Sequence, residues 1–181
     1  MTTAIRVLRE DDIKAIVEFS VRAWRPVFES FGGLLGPKIF AHLYPDWAAD
    51  QASAVDSTCR AEGSRVWVTE ADGRPVGFVA VIINDDTETG EISMIAVDPD
   101  YQNRGIGSDL VAFAVDRIVE RGMTLAEIGT GGDPGHAPAR RVYEKAGFTP
   151  LPLVRYYKAL PTEKALPTEK ALPTEKALPT E

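Results

Sequence analysis

The sequence predicts a single α/β domain with a mixed central sheet and helices on both of its faces. Three observations lead to this fold class. Apolar strand-like runs and amphipathic helical segments follow one another in the order β-α-α-β-β-β-α-β-α-β, which is typical of such a sheet. Hydrophobic residues make up 44% of the chain, and a length of 181 residues suits one domain.

The N-terminal elements follow from hydrophobic spacing and turn residues. Residues 4–8 are predicted as a strand, and Asp11 or Asp12 as the cap of a helix with one apolar face. Pro26 is expected to end or kink this helix, because proline lacks the amide hydrogen that a helix interior needs. The glycines that follow indicate a flexible, aromatic-rich connection. Further helices are predicted at about residues 37–44 and 47–60.

Turn signals place the remaining elements. Asp72-Gly73 favours a hairpin turn, and Gly147 suits the position just after a helix. The last strand is interrupted by Pro150 and Pro152. Strands are predicted at 65–70, 75–83, 91–97, 124–129 and 148–160, and helices at about 105–121 and 137–146.

A glycine-rich turn joins the strand at 91–97 to the helix that follows it. The first turn of a helix has unpaired N–H groups and the positive end of the dipole, so it can hold phosphate. Gly105 and Gly107 would let a diphosphate approach the backbone closely. A dinucleotide fingerprint would need a third glycine where Leu110 stands, and the Gly-Lys-Ser/Thr of a P-loop is missing. The plainer alternative is a tight turn that binds no ligand.

Two motifs in the second half of the chain resemble those of the GNAT superfamily of N-acetyltransferases. Residues 102–107 read Gln-Asn-Arg-Gly-Ile-Gly, which is similar to the family's loop for the pyrophosphate of acetyl-CoA. Residues 139–148 fill the late pattern Ala-x-x-x-Tyr-x-x-x-Gly-Phe at all four positions. The resemblance covers about residues 5–160. It implies a GNAT-like sheet and acetyl transfer from acetyl-CoA to an amine.

The resemblance also implies a site for acetyl-CoA. With two histidines and one cysteine, the sequence shows no metal-binding cluster, so no metal is expected. The loop would hold the diphosphate, and the strand before it would pair with pantetheine like an added strand. His136 stands where relatives often carry Asn, so it could cap the helix, contact the cofactor or act as a base, and the first two roles are preferred. The predicted cofactor-binding residues are Ile95, Ala96, Val97, Gln102, Asn103, Arg104, Gly105, Ile106, Gly107, Ser108, His136, Ala139 and Tyr143.

Two residues are predicted to be catalytic. The resemblance places the Tyr143 hydroxyl near the CoA sulfur, where a phenol with an ordinary pKa of ~10 could protonate the leaving thiolate. Glu91 is the candidate base for the amine, and the equal alternative is an ordinary strand carboxylate. Strict alternation puts Glu91 on one face with Ser93, Ile95 and Val97 unless a bulge intervenes.

The acceptor site is predicted at Phe28, Phe31 and Glu91, since the family takes its specificity largely from the first helices and nearby loops. The predicted function is transfer of an acetyl group to a primary amine, of a small cationic molecule or of a peptide or protein, in a ternary complex. The alternatives are a non-catalytic acyl-CoA-binding or sensory module, and a toxin-type enzyme acting on aminoacyl-tRNA. A net charge of −7 without a basic stripe disfavours a nucleic-acid partner.

A cytoplasmic protein without a membrane partner is expected. No apolar run approaches the ~20 residues of a membrane-spanning helix, the N-terminus lacks the apolar core of a signal peptide, and Cys59 is the single cysteine. The resemblance alone allows a homodimer.

The acetyltransferase domain is predicted to cover 1–160. The tail, 161–181, belongs to four copies of Lys-Ala-Leu-Pro-Thr-Glu that start at Lys158; it is expected to be flexible, or else to dock on a partner.

Overall fold

The computed structural model describes residues 3–161 of the chain. Its strands are β1 (Thr3–Val7), β2 (Ser64–Ala71), β3 (Arg74–Asn84), β4 (Thr89–Val97) and β5 (Leu125–Ile128). Its helices are α1 (Ile13–Leu43), α2 (Trp47–Arg60), α3 (Ile106–Glu120) and α4 (Ala137–Lys145). Short 3₁₀ turns lie at Glu10–Asp12, Pro99–Tyr101 and Pro134–His136.

The five strands form one mixed sheet in the order β1-β2-β3-β4-β5. The first four are antiparallel neighbours, and β5 runs parallel to β4. Asp72 and Gly73 close the β2–β3 hairpin with φ values of 49° and 77°, as the Asp-Gly pair predicts. The predicted fold class is therefore confirmed.

Helices cover both faces of this sheet. On one face Phe19 of α1 and Val55 of α2 pack against Phe78 of β3. On the other face Leu110 of α3 packs with Val79 of β3. Burying each such side chain stabilises the fold by about 1.5–3 kcal/mol relative to leaving it exposed. Strand β3 is buried on both faces because it lies in the middle of the sheet.

The first helix is longer than predicted. The helix continues past Pro26 without a break as far as residue 35. Gly36, with φ 71° and ψ 166°, then kinks the chain, and a second helical segment follows it to Leu43, close to the helix predicted at about 37–44. The predicted loop after Pro26 is therefore wrong. Tertiary packing overrides the weak helix propensity of its glycines, since Val27 is buried and Phe31 packs on Tyr44.

Two further expectations are corrected. Asp12 occupies the N-cap position of α1 without capping it, because its carboxylate accepts hydrogen bonds from Arg6 and the Arg9 amide instead. The predicted last strand is absent from the described residues, and 148–161 has no regular structure. Its prolines cannot donate ladder hydrogen bonds, and Leu153 is 83% exposed. Residues 162–181, which hold most of the predicted tail, lie outside the described residues.

Candidate active site

The site is built on a bulge in β4. The pairing of β3 with β4 slips by one residue, so that Ala80 faces Met94 and Val81 faces Ile92. Ser93 is thus the extra residue, and its hydroxyl donates to the Ala80 carbonyl at 3.3 Å. A bulge bends its strand and increases the local twist. The parallel pairing with β5 ends at this point, at Ile92. Strand β5 itself ends at Ile128, opposite Ile92, so beyond this point β4 is no longer paired with β5, and a slot opens between β4 and the C-terminal end of β5.

A cavity of about 510 Å³ occupies this slot. That volume is within the range of small-molecule sites. It is bordered by β4, the loop that begins α3, the end of β5, α4, and α1 near Pro26. All of the predicted cofactor-binding residues except Arg104 line it: Ile95, Ala96, Val97, Gln102, Asn103, Gly105, Ile106, Gly107, Ser108, His136, Ala139 and Tyr143.

One end of the cavity is the N-terminus of α3. Asn103 and Gly105 have φ values of 60° and 89°, which turn the chain sharply into the helix. The first helical bond runs from Asp109 to the Gly105 carbonyl, so the preceding N–H groups have no partner within the helix. A Cβ added at Gly107 would meet only Val97, at 3.8 Å, so the backbone there is open to a ligand. This end of the cavity is therefore suited to an anion.

Arg104 is not among the residues that line the cavity. Its guanidinium lies 5.0 Å from the centre of the Tyr101 ring and donates to the Asp100 carbonyl at 2.9 Å. The loop itself thus holds this side chain, which explains its absence from the cavity lining. Tyr101, which sequence reasoning missed, lines the cavity in its place.

Helix α4 presents a tyrosine and two cations to the cavity. Tyr143 is 9% exposed, its ring packs on Phe148 at 6.4 Å, and burial raises the pKa of its hydroxyl to about 12. Arg141 and Lys145 also line the cavity and bring positive charge. Sequence reasoning missed both, although they are four residues apart and share a helix face.

His136 and Asp133 form a hydrogen-bonded pair beside α4. Nδ1 of His136 bonds to Oδ1 of Asp133, while Oδ2 of Asp133 accepts the Gly135 amide at 2.9 Å. Burial raises the pKa of the Asp133 carboxyl, but the bonds from His136, Ser30 and Gly135 outweigh burial and hold it below its ordinary value. His136 occupies the N-cap position of α4 without a side-chain capping bond, so the predicted capping role is wrong.

Close packing holds this pair in place. Arg140 donates to the carbonyls of Gly131 and Asp133 at 2.6 and 2.8 Å. A Cβ on Gly135 would lie 2.8 Å from the Val27 Cα, so the loop approaches α1 as closely as the backbone allows.

The predicted base does not line the cavity. Because of the bulge, Ile92 shares the α3 face of the sheet with Ile95 and Val97, whereas Glu91 lies on the opposite face with its side chain exposed. The expectation that Glu91 shares a face with Ile95 and Val97 is therefore wrong. The bulge that the alternation argument allowed for is present.

Two of the three predicted acceptor residues, Phe28 and Phe31, lie in an aromatic cluster between α1 and α2, whereas Glu91 lies on β4. Phe28 stacks on Trp47 at 4.6 Å, and Phe31 stacks on Tyr44 at 5.6 Å. Neither phenylalanine lines the cavity, but the Phe31 ring lies 5.7 Å from that of His136, which does. The members of the aromatic cluster are Phe28, Phe31, Phe40, Tyr44 and Trp47.

Within residues 3–161, no group of three or more His, Cys, Asp or Glu side chains is arranged to hold a metal ion. In the same part of the chain, no helix is both long enough and apolar enough to cross a membrane.

Comparison with known proteins identifies the family. The model of the acetyltransferase (GNAT) family matches residues 36–148, which is more than half of the chain. The chain belongs to this family, as its two motifs predict.

The named relatives of this chain are also acetyltransferases. An uncharacterised N-acetyltransferase of Methanocaldococcus jannaschii is 29% identical over 85% of this chain and 64% of its own length. A mycothiol acetyltransferase of Beutenbergia cavernae is 35% identical over 52% of this chain and 31% of its own. The chain therefore spans less than two thirds of the length of these relatives.

Solved structures share the fold. PaiA N-acetyltransferase from Thermoplasma acidophilum, in complex with coenzyme A, aligns with a TM-score of 0.61 and 16% identity over 82% of this chain and 91% of its own. Aminoglycoside N-acetyltransferase AAC(6')-Iy, in complex with CoA, gives a TM-score of 0.57 and 17% identity over 87% and 95%. At these identities the likeness concerns the fold alone.

Proposed function

We propose that this protein transfers an acetyl group from acetyl-CoA to a primary amine, directly within a ternary complex. The observation that carries the proposal is the slot between β4 and β5, which ends at the N-terminus of α3 and is bordered by Tyr143. Family membership supports it, as do the CoA complexes of two proteins that share the fold.

The cavity residues fit such a co-substrate. The free N–H groups of the first turn of α3, residues 106–108, can bind the diphosphate, and Gly107 leaves the room that this needs. Arg141 and Lys145 add positive charge for phosphate groups. The β4 backbone at Ile95 and Val97 can pair with pantetheine as an added strand, because β5 ends opposite Ile92 and does not pair with these residues.

Tyr143 is proposed to act on the sulfur that leaves. Its hydroxyl is protonated at neutral pH, so it can donate to the developing thiolate. A backbone amide beside the slot would stabilise the thioester oxygen. Glu91 stays a prediction for the base, and it would have to act through water, since its side chain lies outside the cavity lining.

The acceptor is proposed to bind against the aromatic cluster, at Phe28 and Phe31. Aromatic faces attract cations, and the net charge of −7 favours a cationic partner. A small cationic amine is therefore the proposed acceptor. The names of relatives and neighbours, mycothiol and aminoglycoside acetyltransferases, support this class over a peptide or protein amino group.

Thiol release from acetyl-CoA, measured against a panel of amines, tests the proposal. The panel contains aminoglycosides, polyamines, amino sugars, and peptides with free amino groups. Release that depends on one amine class supports the enzyme and names its acceptor. Tight acetyl-CoA binding with no release on any amine contradicts it, and favours the non-catalytic, sensory alternative.

A further inference from the structure

We infer that His136 is the base that accepts the proton of the acceptor ammonium, and that Asp133 is the residue that positions it. This inference rests on the proposed function and deepens it. It assigns the base to a side chain for which the sequence allowed that role but favoured contact with the cofactor or capping of a helix.

The position of His136 is the first argument. Its side chain is 17% exposed and lines the cavity beside Tyr143. On its other side its ring contacts Phe31, a member of the aromatic cluster proposed to bind the acceptor. His136 therefore lies where an amine entering from the aromatic cluster would meet a thioester in the slot.

The hydrogen bond to Asp133 is the second argument. An ionised carboxylate only accepts hydrogen bonds, so Nδ1 of His136 must be the donor in this pair. In the neutral ring the other nitrogen, Nε2, then carries the lone pair and is the basic atom. The Asp133 side chain is 6% exposed, and Arg140 and Gly135 fix its backbone and carboxylate. The tautomer is thus set before any substrate binds.

The charged and titratable groups around His136 come from its own 3₁₀ turn, from α4 and from the loop before α3. From α1 it meets the uncharged Phe31, and from its own 3₁₀ turn it meets Asp133. The titratable groups that share the cavity lining with it, on α4 and on the loop before α3, are Tyr101, Arg141, Tyr143 and Lys145. Arg140 donates to backbone carbonyls beneath it. Asp133 is therefore the carboxylate that faces His136 directly and can stabilise its protonated form.

The acceptor ammonium loses two of its three protons during the transfer. Nε2 of His136 takes one proton from the ammonium and later releases it to solvent. The neutral nitrogen bonds to the thioester carbon, and the C–S bond breaks. The nitrogen gives a second proton to the sulfur through the Tyr143 hydroxyl, which ends as it began. The third proton stays on the amide product.

The test uses His136→Gln, which keeps a polar side chain of similar size but has no basic nitrogen. With the best amine of the panel, kcat is expected to fall on the order of 10²–10⁴-fold. The Kd for acetyl-CoA should change by less than about threefold. The wild type is expected to show a rise of kcat/KM with pH, and this rise should disappear in the variant. In His136→Ala, added imidazole should restore part of the rate.

Two comparison variants separate a base from a structural residue. In Asp133→Asn the side-chain oxygen can still accept from the Gly135 amide, but an NH2 group replaces the oxygen that bonds to Nδ1 of His136. This variant should have a lower kcat, and its rise of kcat/KM should occur at lower pH, because the negative charge beside the ring is lost. Glu91→Gln tests the base that the sequence predicts: it should keep the pH rise if His136 is the base, and should lose the rise if Glu91 is. His42, the exposed histidine on α1, supplies the matched control, and His42→Ala should behave as wild type in every assay.

The outcomes distinguish the two proposals. A wild-type protein that turns over while His136→Gln keeps its rate and pH rise overturns this inference alone, as does a pH rise that is lost in Glu91→Gln instead. A wild-type protein that releases no thiol with any amine overturns the proposed function, and this inference with it.

Discussion

The Tyr143→Phe variant is expected to lose about 10- to 150-fold in kcat while it keeps its affinity for acetyl-CoA. The size of this effect follows from the burial of the tyrosine. Burial raises the pKa of Tyr143 to about 12, whereas a free thiol has a pKa of ~8.5. Complete proton transfer from this phenol to a free thiolate would therefore cost about 5 kcal/mol, at 1.36 kcal/mol per pKa unit.

Because of this cost, Tyr143 cannot speed the reaction by transferring its proton completely to the leaving thiolate. What remains is a hydrogen bond from the neutral hydroxyl to a developing anion, which is worth about 1.5–3 kcal/mol. The Tyr143 hydroxyl can pass its proton to the sulfur only if it receives a proton from the amine nitrogen at the same time. The expected loss is thus at the low end of the range for general acids, on the order of 10²–10⁴-fold.

The assay is thiol release followed with a thiol-reactive dye, together with calorimetry for acetyl-CoA. Cys59 will not interfere, because it is buried and burial raises the pKa of its thiol to about 11. Tyr156→Phe is the matched control, since that side chain is 90% exposed. A Tyr143→Phe variant with wild-type kcat would refute the reasoning. So would one whose main defect is a tenfold weaker Kd for acetyl-CoA.

Two predictions concern stability. Asp12→Asn should lower the free energy of unfolding by about 2–3 kcal/mol at pH 7, because it removes the negative charge beside Arg6, and an amide nitrogen in place of Oδ2 can no longer accept from Nη1 of Arg6 or from the Arg9 amide. Arg6 also holds the pKa of Asp12 below its ordinary value of 3.8, so this contribution is present above that pH and disappears as the pH falls through the lowered pKa; urea titrations at several pH values check it. Gly90→Ala should cost about 1–3 kcal/mol, since a Cβ there would lie 2.5 Å from the Ile118 side chain. Gly63→Ala, in open space, should be nearly neutral, and equal midpoints for the two glycine variants would contradict the packing argument.

The loop and the late motif were predictable because they depend on local backbone geometry. Gly105 and Gly147 have φ values of 89° and 90°, which glycine adopts without strain. Turns with these φ values favour glycine, so the spacing of the glycines in the sequence predicts both turns. The residues between them then fall on the cavity through helix and strand periodicity, as Tyr143 does.

The errors arose where distant contacts decide the structure. The face of Glu91 was reversed by the bulge at Ser93, and a single inserted residue is invisible to an alternation pattern. The helix continued past Pro26 because its packing against the loop at Gly135 and within the aromatic cluster compensates for the lost hydrogen bond. The role of His136 depends on a 3₁₀ turn that brings Asp133 beneath its ring, and the spacing of the two residues alone does not predict that turn.

Calorimetric titration of the wild type and of Gly107→Trp with acetyl-CoA tests the central claim most directly. Gly107 has room for a side chain, so the variant should fold while its indole blocks the approach of a diphosphate to the first turn of α3. Gly63→Trp, on the exposed turn before β2, is the control. The account predicts binding by the wild type and the control, with affinity reduced at least about 100-fold in Gly107→Trp, a loss of about 2.7 kcal/mol. Equal affinity in all three proteins would contradict it.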